Sequence, residues 1–262
     1  MTPTLLPQTP TSISIGCVVY DTAFDTLSKT IKSLFASLKT AQENNLIQDY
    51  QFFLINNQIE LTSSTRRAFA LATELMGGSA TLISGHGNLG YGKGNNLAIN
   101  RSNSQFHLIL NPDVEMEPHA LMRGIQFLQS NLNAGVVAPT ATNENGEPEY
   151  LAKRNPDLPV ILVRGLNKPL LNKLFRKSLD SYAYKDKYPF VEPMEIELAS
   201  GCFMLCRMNI LKQVDGFSQK YFLYFEDFDL SRRISQISKL YLVPQVQIIH
   251  LGGKLPAKVG NI

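Results

Sequence analysis

The first half of this sequence predicts a doubly wound α/β fold built on a parallel sheet, and three observations carry the prediction. Short apolar runs alternate with amphipathic segments in the order strand, helix, strand, helix, strand over about 75 residues. Polar residues suited to ligand contact recur where those strands end, at Asp21, at Asn56 and in the loop after Ser84. With right-handed crossovers these ends open onto one crevice. The composition, 44% hydrophobic and 18% charged over 262 residues, is that of a globular chain able to bury a sizeable core.

Residues 12–20, SISIGCVVY, are too few for three helical turns and read as a buried first strand, followed by Asp21 and Thr22. Leu27, Ile31, Leu34, Phe35 and Leu38 then fall at helical spacing within residues 26–44. Residues 50–55 form a second strand running into Asn56-Asn57, and residues 64–76 a second helix stopped by Gly77-Gly78. Residues 80–84 are the third strand. The loop after it carries Gly85, Gly87, Gly90, Gly92 and Gly94 and leads to a helix beginning near Asn95. Clustered glycines let backbone amides approach an anion, and a helix N-terminus favours its charge; the alternative is a turn without a ligand. Gly90, Gly92 and Asn95 spell G-x-G-x-x-N after the third strand, which is neither the pattern nor the place of a dinucleotide fingerprint.

Phe106–Leu110 is the next strand and runs directly into Asn111-Pro112-Asp113-Val114. Alone, that tripeptide reads first as a turn. At the end of a central strand its carboxylate lies in the ligand crevice, where it suits Mg²⁺ or Mn²⁺ bridging a diphosphate. A helix over 118–131 and a strand over 135–139 follow. Five prolines break the pattern between 140 and 193, and residues 151–190 carry nine Lys and Arg against three Asp. Within them, residues 159–179 mix apolar and basic side chains, which suits either a surface helix on anionic lipid or an amphipathic packing helix. Residues 198–207, LASGCFMLCR, read as a strand in which Cys202 and Cys206 would stand about 13 Å apart, too far to bridge. With Cys17 they are expected to be buried, reduced thiols.

YFLYFEDFDLSRR (221–233) places Glu226, Asp227 and Asp229 after a run of aromatics, at the start of a helix expected over 226–237. Apolar residues anchored in a core and acids presented at a cleft edge would suit a catalytic base; an acidic helix cap is the plainer alternative. Short strands over 240–244 and 247–251 lead to His250, which by itself is more often structural than a ligand. No apolar run approaches the ~20 residues of a membrane span. Residues 1–11 lack the features of a secretory signal and are expected to form a flexible tail. The net charge of +3 gives no argument for nucleic acid.

Taken together and in order, CVVYDT, LINN, NLGYGKGNN, LILNPDV, ASGCFMLCR, DGF, YFLYFEDFDLSRR and the His-x-x-Gly from His250 to Gly253 resemble the inverting family 2 glycosyltransferases. The resemblance is strongest to their rhamnosyltransferase-like branch in bacterial polysaccharide assembly, and it spans residues 12–253. It implies a GT-A fold, with a Rossmann-like, mostly parallel sheet flanked by helices. One domain over 12–262 would hold a nucleotide-sugar half (12–139) and an acceptor half (140–253).

By the same resemblance Tyr20, Asp21 and Asn56 line the base and ribose pocket. Asn88, Gly90, Tyr91 and Asn96 hold the loop around the nucleotide. Asn111 and Asp113 stand where the family has its DxD motif, with Asp113 and His250 as ligands of Mg²⁺ or Mn²⁺. Gly201 and Cys202 border donor and acceptor sugar, Asp227 is the base, and Glu226 shapes the site beside it. The resemblance also implies a nucleotide-sugar donor, dTDP-rhamnose, and a saccharide or lipid-linked acceptor. A cytoplasmic location is expected, and the basic and apolar mixture of 159–179 adds peripheral contact with the cytoplasmic face of the inner membrane. A UDP-hexose donor, or a nucleotide-sugar-binding module without catalysis, are the alternatives. Two departures from the family pattern bear on this: Asn56-Asn57 replaces the common Asp-Asn, and Asn111 replaces the first acid of DxD.

Overall fold

The strand β1 (Thr11–Val19) is buried along nearly its whole length, so helices must cover both of its faces. A computed structural model of the chain describes residues 11–166 and 169–252, which leaves residues 1–10 of the expected tail, and Gly253, outside the described residues. Thr11 belongs to β1. After it come α1 (Phe24–Glu43), β2 (Ile47–Asn56), α2 (Ser63–Met76), β3 (Ala80–Ile83), α3 (Tyr91–Arg101) and β4 (Phe106–Leu110). Leu27, Ile31, Leu34 and Leu38 make the buried stripe of α1, and the Thr62 hydroxyl caps α2 by accepting from the amide of Thr65. The helix α3 starts at Tyr91, four residues before the expected Asn95, because Gly90 turns the chain with φ +83°.

The second half contains β5 (Val114–Met116), α4 (Ala120–Ser130), β6 (Ala134–Asn143), β7 (Pro148–Glu149), α5 (Leu158–Leu166), α6 (Pro169–Leu174) and α7 (Arg176–Tyr182). It ends with β8 (Met194–Ile196), β9 (Phe203–Arg207), α8 (Met208–Gln213), α9 (Glu226–Ser235) and β10 (Lys239–His250). Residues 159–179 are thus divided among three short helices, not one. The strand expected over 198–207 begins only at Phe203, because 199–202 turn past the site. The two expected late strands are a single β10, whose register to β6 slips between Val243 and Gln247. Pro244, which has no N–H for the ladder, sits in that slip, and the Thr140 hydroxyl closes it by donating to the Pro244 carbonyl at 3.2 Å.

All ten strands share one sheet in the order β3-β2-β1-β4-β9-β6-β10-β5, with β7 on the edge of β6 and β8 on β10. The pairs β3/β2, β2/β1, β1/β4 and β6/β10 are parallel; β9 enters antiparallel between β4 and β6. One core fills the side of α1, α2 and α4, and a second lies under α3, α8 and α9. Strand order reverses between β1 and β4, and their carboxyl ends flank the crevice where such sheets take ligands.

Candidate active site

At the mouth of the crevice, Tyr20 is 56% exposed and Asp21 has a left-handed backbone, φ +51°. Asn56 is fully buried, and its side-chain amide donates to the carbonyls of Gln58 at 2.9 Å and Glu60 at 3.3 Å. Its amide nitrogen thus shapes the loop after β2, while its Oδ1 has no hydrogen-bond partner among the described residues. That loop, with Tyr20 and Asn88, encloses a cleft of 540 Å³ lined by Gln58, Ile59, Glu60, Leu61 and Thr62. The sequence marked only Asn56 and Asn57 at that strand end; the same signal, carried a few residues further, finds residues 58–62.

The glycine loop is held together by asparagine side chains. Asn57, also buried, accepts from the amide of Leu89 and donates to the Asn88 side chain and the Gly90 carbonyl at 3.0–3.2 Å. The Gly90 amide donates to Asn88 Oδ1 at 3.0 Å. Two of the amides meant for a phosphate are thus already engaged. A Cβ on Gly90 would come within 2.1 Å of the Phe222 carbonyl oxygen, so glycine here serves close approach of two loops. Asn96 and Tyr91 also reach away from the loop. Asn96 clamps the backbone of Phe217 with bonds of 2.8 and 2.9 Å, and the Tyr91 hydroxyl donates to the Gly201 carbonyl at 2.6 Å.

Beyond β4, the short β5 turns back antiparallel to β10, setting Val114 opposite His250. The amide of Leu251 donates to the Asp113 carbonyl at 2.8 Å, which brings the two side chains together. His250 Nε2 lies 3.5 Å from Asp113 Oδ2, and its Nδ1 lies 2.8 Å from Glu149 Oε2. Asp113, then Glu149, raise the imidazole pKa to about 9 against the opposing effect of burial. The carboxylates that hold this proton would also favour a metal cation, which would take the proton's place on Nε2. Among the described residues no three acidic, His or Cys side chains converge on one point. One carboxylate and one imidazole, the latter oriented by a second carboxylate, fit an ion whose other ligands are phosphate oxygens and water. Glu149 carries no sequence signal, because only the β6–β7 hairpin delivers it.

On the opposite wall, Asp227 opens α9. Its Oδ2 accepts from the Gly201 amide at 3.0 Å and its Oδ1 from the Phe228 amide at 2.9 Å. Burial raises its pKa nonetheless, outweighing those bonds. Glu226 is 6% exposed, its pKa is raised first by burial, and its Oε2 has no hydrogen-bond partner among the described residues. Asp229 instead pairs with Arg233 at 2.7 Å, and Arg233 also donates to the carbonyls of Val214 and Gly216. The Cys202 thiol sits in the middle: its pKa is pushed up to about 12, chiefly by burial, with Asp113, Asp227 and Glu149 adding to the shift. The Cys202 carbonyl accepts from the Asn111 amide at 2.8 Å, joining β4 to the turn before β9. The aromatics expected to anchor this wall do not: Phe222, Leu223, Tyr224 and Phe225 are all exposed, and Tyr224 and Phe225 have φ of +68° and +66°.

Solved structures place this architecture in the GT-A class. The chain matches a structure of GalNAc-T7 with UDP, GalNAc and Mn²⁺ at a TM-score of 0.69 and 15% identity, over 97% of this chain and 46% of that one. It matches the mannosyltransferase PcManGT from Pyrobaculum calidifontis, in complex with GDP-Man and Mn²⁺, at a TM-score of 0.62 and 12% identity, over 94% and 59%. Residues 14–215 match the model of glycosyl transferase family 2, and the chain belongs to that family. Among named relatives, rhamnosyltransferase WbbL of Escherichia coli K12 is 30% identical over 180 residues, 64% of this chain and 62% of that protein. N-acetylglucosaminyl-diphospho-decaprenol L-rhamnosyltransferase of Mycobacterium tuberculosis H37Rv is 27% identical over 181 residues, 62% of this chain and 56% of that protein. The matched stretches thus cover less than two thirds of either relative.

Proposed function

We propose that this chain is an inverting glycosyltransferase that moves L-rhamnose from dTDP-rhamnose to a saccharide or lipid-linked saccharide acceptor in cell-surface polysaccharide synthesis. The observation that carries the catalytic part is Asp227. It is a largely buried carboxylate, oriented by the Gly201 and Phe228 amides, across the Gly201–Cys202 turn from Asp113 and His250. In that place Asp227 takes the proton of the acceptor hydroxyl as its oxygen attacks the anomeric carbon. The bond from that carbon to the diphosphate breaks, and the nucleoside diphosphate leaves with the electron pair.

Asp113 and His250 would hold Mg²⁺ or Mn²⁺, which when bound offsets the charge growing on the leaving diphosphate. Tyr20, Asp21 and the 58–62 loop receive the nucleoside, with Asn56 shaping that loop and Asn57 holding the neighbouring glycine loop. The names of the two relatives support rhamnose as the sugar, and the mycobacterial name supports a diphospholipid-linked acceptor. Asp227→Asn tests the reading: turnover should fall by ~10²–10⁴-fold, the usual contribution of a base, while nucleotide binding persists. Near-native turnover in that variant, measured with dTDP-rhamnose, would remove Asp227 from the role. Absence of both transfer and donor hydrolysis in the wild-type protein across dTDP- and UDP-sugars would favour a binding module instead.

A further inference from the structure

Behind His250 lies a second groove, of 540 Å³, that the catalytic reading leaves unused. Three rings form one wall. Tyr150, Tyr188 and Phe190 pack edge to face on one another with centroids 5.8–6.4 Å apart. Glu115 and Glu117 of β5 and Gln247 of β10 contribute polar groups, and Glu149 joins the groove to the site through its bond to His250.

Rings on one side and hydrogen-bonding side chains on the other are the two halves of pyranose recognition. The C–H face of the sugar packs on aromatic carbon while its hydroxyls pair with carboxylate and amide oxygens. The volume is within the range of small-molecule sites. Charge narrows the choice further. The lining carries carboxylates and, among the described residues, no Lys or Arg, which disfavours a phosphate or an acidic sugar. Two of the carboxylates are already engaged, Glu117 by Arg123 at 3.1 Å and Glu149 by the His250 ring at 2.8 Å, which leaves little field for a cationic ligand.

We propose that this groove binds a neutral sugar unit of the acceptor glycan other than the one that reacts. The assignment to the acceptor rests on the glycosyltransferase reading above. In a single displacement the attacking hydroxyl approaches from the side of Asp227, opposite the leaving diphosphate at Asp113 and His250. The groove adjoins the site through Glu149, and its lining does not include Asp227, so its occupant is a sugar unit other than the one whose hydroxyl Asp227 serves. It raises affinity for longer acceptors without touching the chemistry.

Ligand-observed NMR on the full chain tests this with methyl α-L-rhamnopyranoside, methyl N-acetyl-β-D-glucosaminide and, as a cationic control, tetramethylammonium chloride. At least one glycoside should bind in the presence of saturating dTDP, and Tyr188→Ala should weaken that binding fivefold or more. Glu115→Gln, which keeps the volume and so guards against a folding artefact, should weaken it at least threefold. Hydrolysis of the donor should be unchanged in both. Failure of both glycosides to bind, equal binding in the Tyr188→Ala variant, or a groove that takes tetramethylammonium and not the sugars would overturn the proposal. Wild-type protein that hydrolyses no nucleotide sugar, yet binds a glycoside through Tyr188, would sink the catalytic reading and leave the groove standing as a saccharide site.

Discussion

At Asp227 two effects of opposite sign meet. The amides of Gly201 and Phe228 and the first turn of α9 favour the carboxylate, while burial favours the acid, and burial wins. The folded chain therefore holds this proton more tightly than the unfolded chain does, so stability falls as pH rises through the raised value. Two outcomes are expected from one group. The acid limb of kcat/KM should lie above the ordinary carboxylate range, because the base must be ionised. At neutral pH the Asp227→Asn variant should show a higher urea midpoint than wild type, since it carries no buried charge. A variant with an unchanged acid limb and an unchanged midpoint would show that Asp227 is neither the titrating base nor strained by its burial. The three acids of the 221–233 stretch, alike in sequence, are separated only by the fold. Asp227 faces the turn, Glu226 is buried, and Asp229 is bound to Arg233.

Among the elements, the periodic ones were legible and the irregular ones were not. The helices α1, α2 and α4 and strands β1 to β4 lie within a few residues of where apolar spacing puts them, because each buries one continuous stripe or run. The short strands β5, β7 and β8 have two or three residues each, too few for any period; β5 and β8 are held by β10, far along the chain, and β7 by its hairpin with β6. Helices α5 to α7 lie between these cases. On α5, Val160 and Val163 are buried while Leu158, Ile161 and Leu162 are exposed; on α6, Leu170 and Leu174 are exposed near Lys173, Arg176 and Lys177. No described helix is long and apolar enough to cross a membrane. Exposed leucines beside basic groups suit the surface of an anionic bilayer. The chain should co-sediment with phosphatidylglycerol vesicles at low salt, and replacing Leu170 and Leu174 by Ser should reduce the bound fraction several-fold. Equal sedimentation of the double variant would move the contact elsewhere.

Across the whole molecule, the candidate metal site depends on pieces far apart in the chain but adjacent in the sheet: the turn into β5 delivers Asp113, β7 delivers Glu149, and β10 delivers His250, 101 residues after Glu149. Glu149 bonds His250 Nδ1, while Nε2 of the same ring lies toward Asp113. Glu149→Gln should weaken Mn²⁺-dependent donor binding by ~10–100-fold, the usual effect of losing an orienting carboxylate, and leave metal-independent nucleotide binding unchanged. Titration of donor binding with Mn²⁺ reads this directly, and an unaltered midpoint would separate Glu149 from the metal.

Local physics, written into the sequence, determined the α/β class and the crevice at the strand ends, while Asp113, Asp227 and His250 stood out through motifs taken together in order, none of which is decisive alone. Burial stripes and strand ends are short-range features, so a linear pattern carries them. Only the tertiary structure decided which way each polar side chain faces. Asn56, Asn57 and Asn96 turn inward to bond loop backbone, the aromatics of 222–225 stay in solvent, and Glu149 reaches His250. Those choices follow from hydrogen-bond partners and packing neighbours that come together only when distant strands share one sheet.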